Sequence, residues 1–279
     1  MKLSIIIVNF KNPPLLRLCL KSLIQTLEPA FEKEIIVVDI ASSIETRNVI
    51  SEFSEVRFIC FKNNIGYTKG VNEGIKASQG GAVLIINPDI VPLKGSIEGM
   101  ADFIYKNQNI GLLGPQLINF DGSIQNSSFA FYSPLTILYR RTFLNLLPWA
   151  AKELNRFLAM NKDKTKISEV DWIMGSALMT TKKAINDIGL MDENLFLYMS
   201  EVDWAHRFWE NGYKVVYFPE ARMYHYHRRG SKGRLDAFDI VKKETRWHIV
   251  DAIKYFRKHG ISARLAKVSG EARAKSFSQ

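Results

Sequence analysis

The chain of 279 residues is 47% hydrophobic and 24% charged, with a formal net charge of +10. It contains no low-complexity tract and no internal repeat, which excludes a disordered or solenoid chain and leaves one large core or two intimately joined halves. From Arg222 onward there are 15 Lys and Arg against 5 Asp and Glu, while the residues before it balance at 23 against 23. Excess positive charge confined to the last fifth suits phosphates or an anionic membrane surface, and argues against nucleic acid bound along the body.

The opening MKLSIIIVNFKN is too short in its apolar part for a signal peptide. It reads as a first buried strand over residues 3–8, closed by Asn9, and Leu15, Leu18, Leu20 and Leu23 mark a helix after it. Further strands are predicted at 34–39, 56–61 and 82–86, with helices at 47–53 and 70–77 between them. Strands apolar throughout and alternating with helices predict βαβ units in a mainly parallel sheet covered on both faces. A helix at 96–107 and a strand at 111–113 complete this half.

Residues 129–158 hold Phe131, Tyr132, Leu135, Tyr139, Phe143, Leu146, Leu147 and Trp149, with Arg140 and Arg141 among them and Pro134 and Pro148 as brackets. Two readings stand: a helical hairpin packed on the core, or an acceptor-side or membrane-facing surface. The lysine-rich stretch 161–168 reads as a mobile loop, and VDWIMGSALMTTKKA as a strand entering a turn. A helix at about 202–211, a strand at 214–218 and an amphipathic helix at 244–259 follow, the last with Ile249, Ile253 and Phe256 on its apolar stripe. Cys19 and Cys60 imply neither a disulfide framework nor a metal knuckle, and both read as buried thiols. No uncharged apolar run reaches the ~18 residues of a membrane span, so the expectation is a cytoplasmic protein, peripheral at most on the inner face of the plasma membrane.

Polar residues recur at the ends of these strands, where an open α/β sheet binds its ligands. Asp39 closes EIIVV and can accept the ring N–H of a uracil or thymine; a helix cap is the alternative. The segment NNIGYTKGVNEG, from Asn63 to Gly74, offers Gly66 and Gly70 for close backbone approach, Lys69 for a diphosphate and Asn72 for hydrogen bonds. It is neither a Walker loop nor a dinucleotide fingerprint after the first strand. Asn87-Pro88-Asp89 leaves one carboxylate in the crevice, enough with two diphosphate oxygens for Mg²⁺ or Mn²⁺. Glu201 and Asp203 open a helix, where they serve as catalytic acids or simply meet its dipole; Asp203 can also bind Arg207 four residues on.

In order, SIIIVNF, EIIVVDIASS, NNIGYTKGVNEG, INPD, GPQLINFDGSIQ, DWIMGSALM, GLMDENLFLYMSEVDWAHRFWENGYKVVYFPEA and HYHRRGS resemble the inverting family 2 glycosyltransferases, closest to the bacterial rhamnosyltransferase-like branch. The resemblance implies an α/β GT-A (Rossmann-like) fold, a mainly parallel sheet flanked by helices. It divides the chain into a nucleotide-sugar-binding half (1–118), an acceptor and catalytic half (119–230) and a basic helical segment (231–279). It further implies transfer of a sugar, rhamnose from dTDP-rhamnose in the first instance, to a saccharide acceptor on a lipid, with Mg²⁺ or Mn²⁺ as cofactor and no nucleic-acid partner. A UDP-hexose or UDP-N-acetylhexosamine transferase, and a degenerate saccharide- or nucleotide-binding protein, are the alternatives.

By the same resemblance Asn9, Asp39, Asn63, Gly66, Lys69, Asn72, Asn87 and Asp89 bind the nucleotide sugar, and Asp89 with His225 holds the metal. Arg228, Arg229 and Ser231 meet the diphosphate, Trp172 and Gly175 shape the sugar and acceptor pocket, and Glu201 with Asp203 is catalytic, Glu201 as the base. The chain departs from the family pattern at Ile40, which stands in place of an Asn, at Ser200 in place of an acid, and at Glu201 in place of an Asp.

Overall fold

Residues 3–9 are buried without exception, because this strand has packed layers on both sides. Ile5 and Ile7 face one layer and Ile6 and Val8 the other, as the two-residue period of a strand requires. The computed structural model describes residues 2–226 and 243–260. In chain order it forms β1 (Leu3–Asn9), α1 (Pro13–Thr26), β2 (Lys33–Asp39), α2 (Ile44–Ile50), β3 (Val56–Cys60), α3 (Tyr67–Ala77), β4 (Ala82–Ile86), β5 (Ile90–Pro92) and α4 (Ser96–Lys106). Then come β6 (Ile110–Ile118), β7 (Ile124–Gln125), β8 (Ser128–Phe129), α5 (Pro134–Arg141), a 3₁₀ turn at Phe143–Leu146 and α6 (Pro148–Phe157). β9 (Ser168–Glu169), β10 (Trp172–Ile173), β11 (Ala177–Thr181), α7 (Lys182–Ile188), α8 (Ser200–Glu210), β12 (Lys214–His225) and α9 (Lys243–His259) follow.

The main sheet runs β3-β2-β1-β4-β11-β6-β12-β5. β3, β2, β1 and β4 are parallel, and β11 enters antiparallel between β4 and β6. One sheet therefore draws strands from both halves of the chain. Helices α1, α2 and α4 pack on one face, and α3, α7, α8 and α9 on the other. The chain goes from β1 outward to β2 and β3 and returns to β4 on the other side of β1, so a switch point lies between β1 and β4.

Three expectations change here, and a segment left with two readings takes the first of them. The strand expected at 111–113 extends to Ile110–Ile118, because its last residues pair with both β7 and β12. The segment VDWIMGSALMTTKKA forms two strands, β10 and β11, separated by a turn at 174–176, and then α7. Cys19 is buried, but Cys60 is exposed at the end of edge strand β3, with Arg47 Nη2 3.6 Å from its sulfur. Residues 129–158 form the packed hairpin: Phe129, Tyr132, Phe157 and Trp172 stack together, while Leu135, Leu146 and Trp149 stay exposed on its outer side.

Candidate active site

A cleft of ≈ 450 Å³ opens at the switch point. Val8, Phe10 and Asn12 line it from the end of β1, Ile40 from β2, and Asn87, Pro88 and Asp89 from the end of β4. Gly66 and Tyr67 close it at the start of α3, Phe196 and Leu197 from the loop before α8, and Trp247 from α9. Gly66 sits at φ +86°, and a Cβ there would come within 2.8 Å of the Phe196 ring, so glycine is required by backbone and space alike.

Asp39 is fully buried beside Asn9, whose Nδ2 donates to Asp39 Oδ1 at 3.0 Å. The register that pairs these residues across β1 and β2 places them together. Among the described residues Asp39 Oδ2 and Asn9 Oδ1 have no hydrogen-bond partner, which leaves an acceptor pair at the head of the cleft strands. Such a pair suits the N–H groups of a nucleobase, and it lies behind the cleft wall, since neither side chain is among the lining residues.

Asp89 follows the β4 turn, and its Oδ1 is buried with no hydrogen-bond partner among the described residues. His225, at the end of β12, turns Nε2 to within 3.5 Å of Asp89 Oδ2. Its Nδ1 lies 2.7 Å from Gln125 Oε1. The Gln125 amide is oriented by its own Nε2, which donates to Asn119 Oδ1, so Oε1 accepts and Nδ1 must carry the proton. Nε2 is then the ring nitrogen turned toward Asp89, the orientation a metal ligand needs. An oriented imidazole and an unsatisfied carboxylate oxygen fit a divalent cation.

Glu201 lies in the first turn of α8, after Met199 at φ 63°. That left-handed φ on a non-glycine residue is a strained entry of the kind found at functional sites. Ser200 Oγ is 3.3 Å from Glu201 Oε2, and a Cβ on Gly175 would lie only 3.4 Å from the Glu201 carboxyl carbon. Burial pushes Glu201 above the usual carboxylate range and the charge of Asp251 adds to this, against hydrogen bonds from Ser200 and the Gly175 backbone. Tyr67 donates its hydroxyl to the Gly175 carbonyl at 2.8 Å, linking the cleft to the Glu201 turn.

Other expected site residues are engaged by protein groups, lie off the cleft lining or fall outside the described residues. Asp203, expected beside Glu201 in catalysis, is 0% exposed, ion-paired with Arg207 at 2.9 Å and Lys258 at 2.7 Å, and hydrogen-bonded to His259 at 2.8 Å. Burial would raise its pKa, but these partners hold it at about 2, so it joins α8 to the end of α9. The Asn72 amide is occupied by the Met191 carbonyl, the Met191 N–H and Glu193. Lys69 and Asn63 are exposed and absent from the cleft lining, where the adjacent Asn64 appears instead. Trp172 is buried in the aromatic stack and donates its indole N–H to the Ala130 carbonyl at 2.9 Å. Arg228, Arg229 and Ser231 lie outside the described residues.

His206, Glu210 and His259 form another His and acid group near the far end of α9. The two imidazoles stack at 4.1 Å and 25°, so lone pairs in the ring planes run side by side instead of converging. With His259 Nε2 on Asp203, this arrangement suits a hydrogen-bonded clamp better than an ion.

A model of glycosyl transferase family 2 matches residues 4–165. The chain belongs to glycosyl transferase family 2. It is 28% identical over 254 residues to an N-acetylglucosaminyl-diphospho-decaprenol L-rhamnosyltransferase of Mycobacterium tuberculosis, covering 83% of this chain and 78% of that one. It is 29% identical over 209 residues to the low-salt glycan biosynthesis hexosyltransferase Agl10 of Haloferax volcanii, covering 74% and 61%. Among solved structures, GalNAc-T7 with UDP, GalNAc and Mn²⁺ superposes with a TM-score of 0.64 at 15% identity, over 98% of this chain and 57% of that one. Staphylococcus aureus TarS 1–349 gives 0.55 at 17% identity, over 81% and 60%. The chain thus spans somewhat more than half the length of those solved chains. The fold is GT-A, and this family 2 member is a glycosyl-transfer enzyme.

Proposed function

We propose that the protein transfers a sugar, with inversion at the anomeric carbon, from a nucleoside diphosphate donor to a saccharide acceptor. The observation that carries this reading is the placement of three separate chemistries about the β1/β4 switch point. They are an acceptor pair (Asn9 and Asp39), a cation-ready pair (Asp89 and His225) and a carboxylate of raised proton affinity (Glu201). Asp39 accepts from the base, Asp89 and His225 hold Mg²⁺ or Mn²⁺, and Glu201 takes the proton from the acceptor hydroxyl as it attacks. When bound, the cation offsets the charge that builds on the departing diphosphate. Gly66, Phe196 and Trp247 form one wall of the cleft that would hold the donor.

Rhamnose from dTDP-rhamnose is the first donor assignment, supported by the mycobacterial rhamnosyltransferase and by the dTDP-rhamnosyl transferase RfbF of Shigella flexneri, at 28% and 22% identity. A hexose or N-acetylhexosamine donor is the second, favoured by the Haloferax hexosyltransferase and by the poly-β-1,6-N-acetyl-D-glucosamine synthase of Staphylococcus epidermidis. The acceptor is a lipid-linked saccharide used in surface polysaccharide assembly. It is reached by peripheral contact with the inner face of the plasma membrane through the outer side of α5 and α6. Leu146 and Trp149 are 76% and 63% exposed there, and no described helix is long and apolar enough to cross a membrane.

The test is binding and hydrolysis of dTDP-rhamnose, UDP-glucose, UDP-galactose and UDP-N-acetylglucosamine, each with Mn²⁺, Mg²⁺ or EDTA. One donor turned over only with metal is the expected result. Metal-independent binding without turnover of any donor sinks the catalytic reading in favour of a degenerate binding protein.

A further inference from the structure

The loop between α7 and α8 carries Phe196 and Leu197 into the cleft and leads directly to Glu201. From one side α3 holds it: Thr68 donates its hydroxyl to the Leu195 carbonyl, and Asn72 grips Met191. From the other side α9 holds it, although α9 lies far beyond the residues matched by the family model. Asp251, 1% exposed, accepts the backbone N–H of Phe196 at 3.4 Å, of Leu197 at 3.2 Å and of Tyr198 at 3.0 Å. Lys254 Nζ donates to the Asn194 carbonyl at 2.6 Å, and Lys258 Nζ meets Asp192 at 2.9 Å. Three successive amides aimed at one buried carboxylate fix a stretch of backbone that would otherwise bond to water. Burying that charge carries a desolvation cost that an apolar side chain would not, and the amides, with Lys254 3.9 Å away, offset it.

We propose that Asp251 is a positioning residue for the transfer reaction, holding the backbone of residues 196–198 so that the cleft wall and the Glu201 turn keep their geometry. This rests on the reading of Glu201 as the base. The Asp251 charge also acts on Glu201 directly, raising its proton affinity in addition to burial. The other titratable or charged groups around the pair are Tyr67 of α3, Asp89 after β4, Tyr198 of the loop, and His248 and Lys254 of α9.

Asp251→Asn keeps the shape and removes the charge. Its expected effects are a roughly 10²-fold loss of kcat, faster amide exchange confined to residues 194–199, and an acid limb of the kcat/KM profile moved to lower pH. A merely structural loss would lower thermal stability and leave the pH profile in place. Glu201→Gln, measured alongside, separates the two claims. If Glu201→Gln is inactive while Asp251→Asn keeps wild-type rate, profile and exchange, the positioning role is overturned and the base stands. If Glu201→Gln turns over like wild type, the base reading fails and this proposal fails with it. Should Asp251→Asn not fold, Lys254→Met, at a position with a 45% exposed side chain, loosens the same loop. A smaller loss of kcat with the same local exchange supports the proposal, and wild-type values overturn it.

Discussion

Glu201 and Asp203 stand two residues apart at the start of one helix, yet their proton affinities are driven in opposite directions. Burial without a cation raises Glu201, whereas Arg207, Lys258 and His259 hold Asp203 at about 2. A general base works deprotonated, so activity should fall as pH drops through a value above the ~4.3 of an ordinary glutamate, read from the acid limb of kcat/KM. Asp203→Ala leaves Arg207 and Lys258 facing a lost charge and should cost roughly 3 kcal/mol in urea unfolding. Because its folded pKa is depressed, the Asp203 contribution is complete above ~3.9 and is lost as pH falls toward 2. In the sequence Arg207, four residues on, already offers Asp203 a structural partner. Asp203 is distinguished by Lys258 and His259, more than fifty residues away, and no local pattern reports them. Asp39 and Asp89 were legible because each closes or follows an apolar strand, and strand ends converge in a parallel sheet. His225 came only from the family resemblance, because the strand expected at 214–218 runs on to His225.

Among the elements, β1, β2 and β4 were readable because strands buried on both faces leave unbroken apolar runs, whereas the helix expected at 47–53 begins earlier, at Ile44, where Ser43 caps it. The helix expected at 70–77 begins three residues earlier, at Tyr67, and it faces mostly protein: Thr68 and Asn72 hold the loop before α8, and Gly70 and Gly74 let α3 lie against the sheet. A Cβ at Gly74 would come within 2.4 Å of Ile6 Cγ2, so Gly74→Ala should lower stability by about 1–3 kcal/mol, measured by chemical denaturation, without altering donor specificity. Only part of the α9 stripe expected at Ile249, Ile253 and Phe256 meets the core, where Phe256 packs. Ile253 is 48% exposed, and the helix buries His248, Asp251, Ala252 and Tyr255 instead. Apolar periodicity is a poor guide where a helix packs through hydrogen bonds and ion pairs. Trp247, which no motif singled out, lines the cleft and packs against Phe196 at 5.0 Å. Trp247→Ala should raise donor KM about tenfold while leaving the fold intact by circular dichroism.

At the scale of the molecule, the described residues build a ten-stranded sheet, beside the two-stranded β8–β10 pair, and the second half of the chain inserts β11 and β12 into the larger one. This interleaving was not visible in the sequence, because strand order depends on which edges meet and not on local pattern. The exposed Leu146 and Trp149 on the α5–α6 hairpin, with the positive charge beyond Arg222, predict binding to phosphatidylglycerol vesicles. Binding should weaken with added salt and with Trp149→Glu, as measured by co-sedimentation. The most direct test of the account is donor turnover and donor binding measured together, with Mn²⁺ present, in wild type, Asp89→Ala and Glu201→Gln. The account predicts that Glu201→Gln binds donor like wild type but loses about 10³-fold in transfer to acceptor, and that Asp89→Ala loses metal-dependent binding and turnover alike. Wild-type transfer by Glu201→Gln, or metal-dependent binding retained in Asp89→Ala, would contradict it.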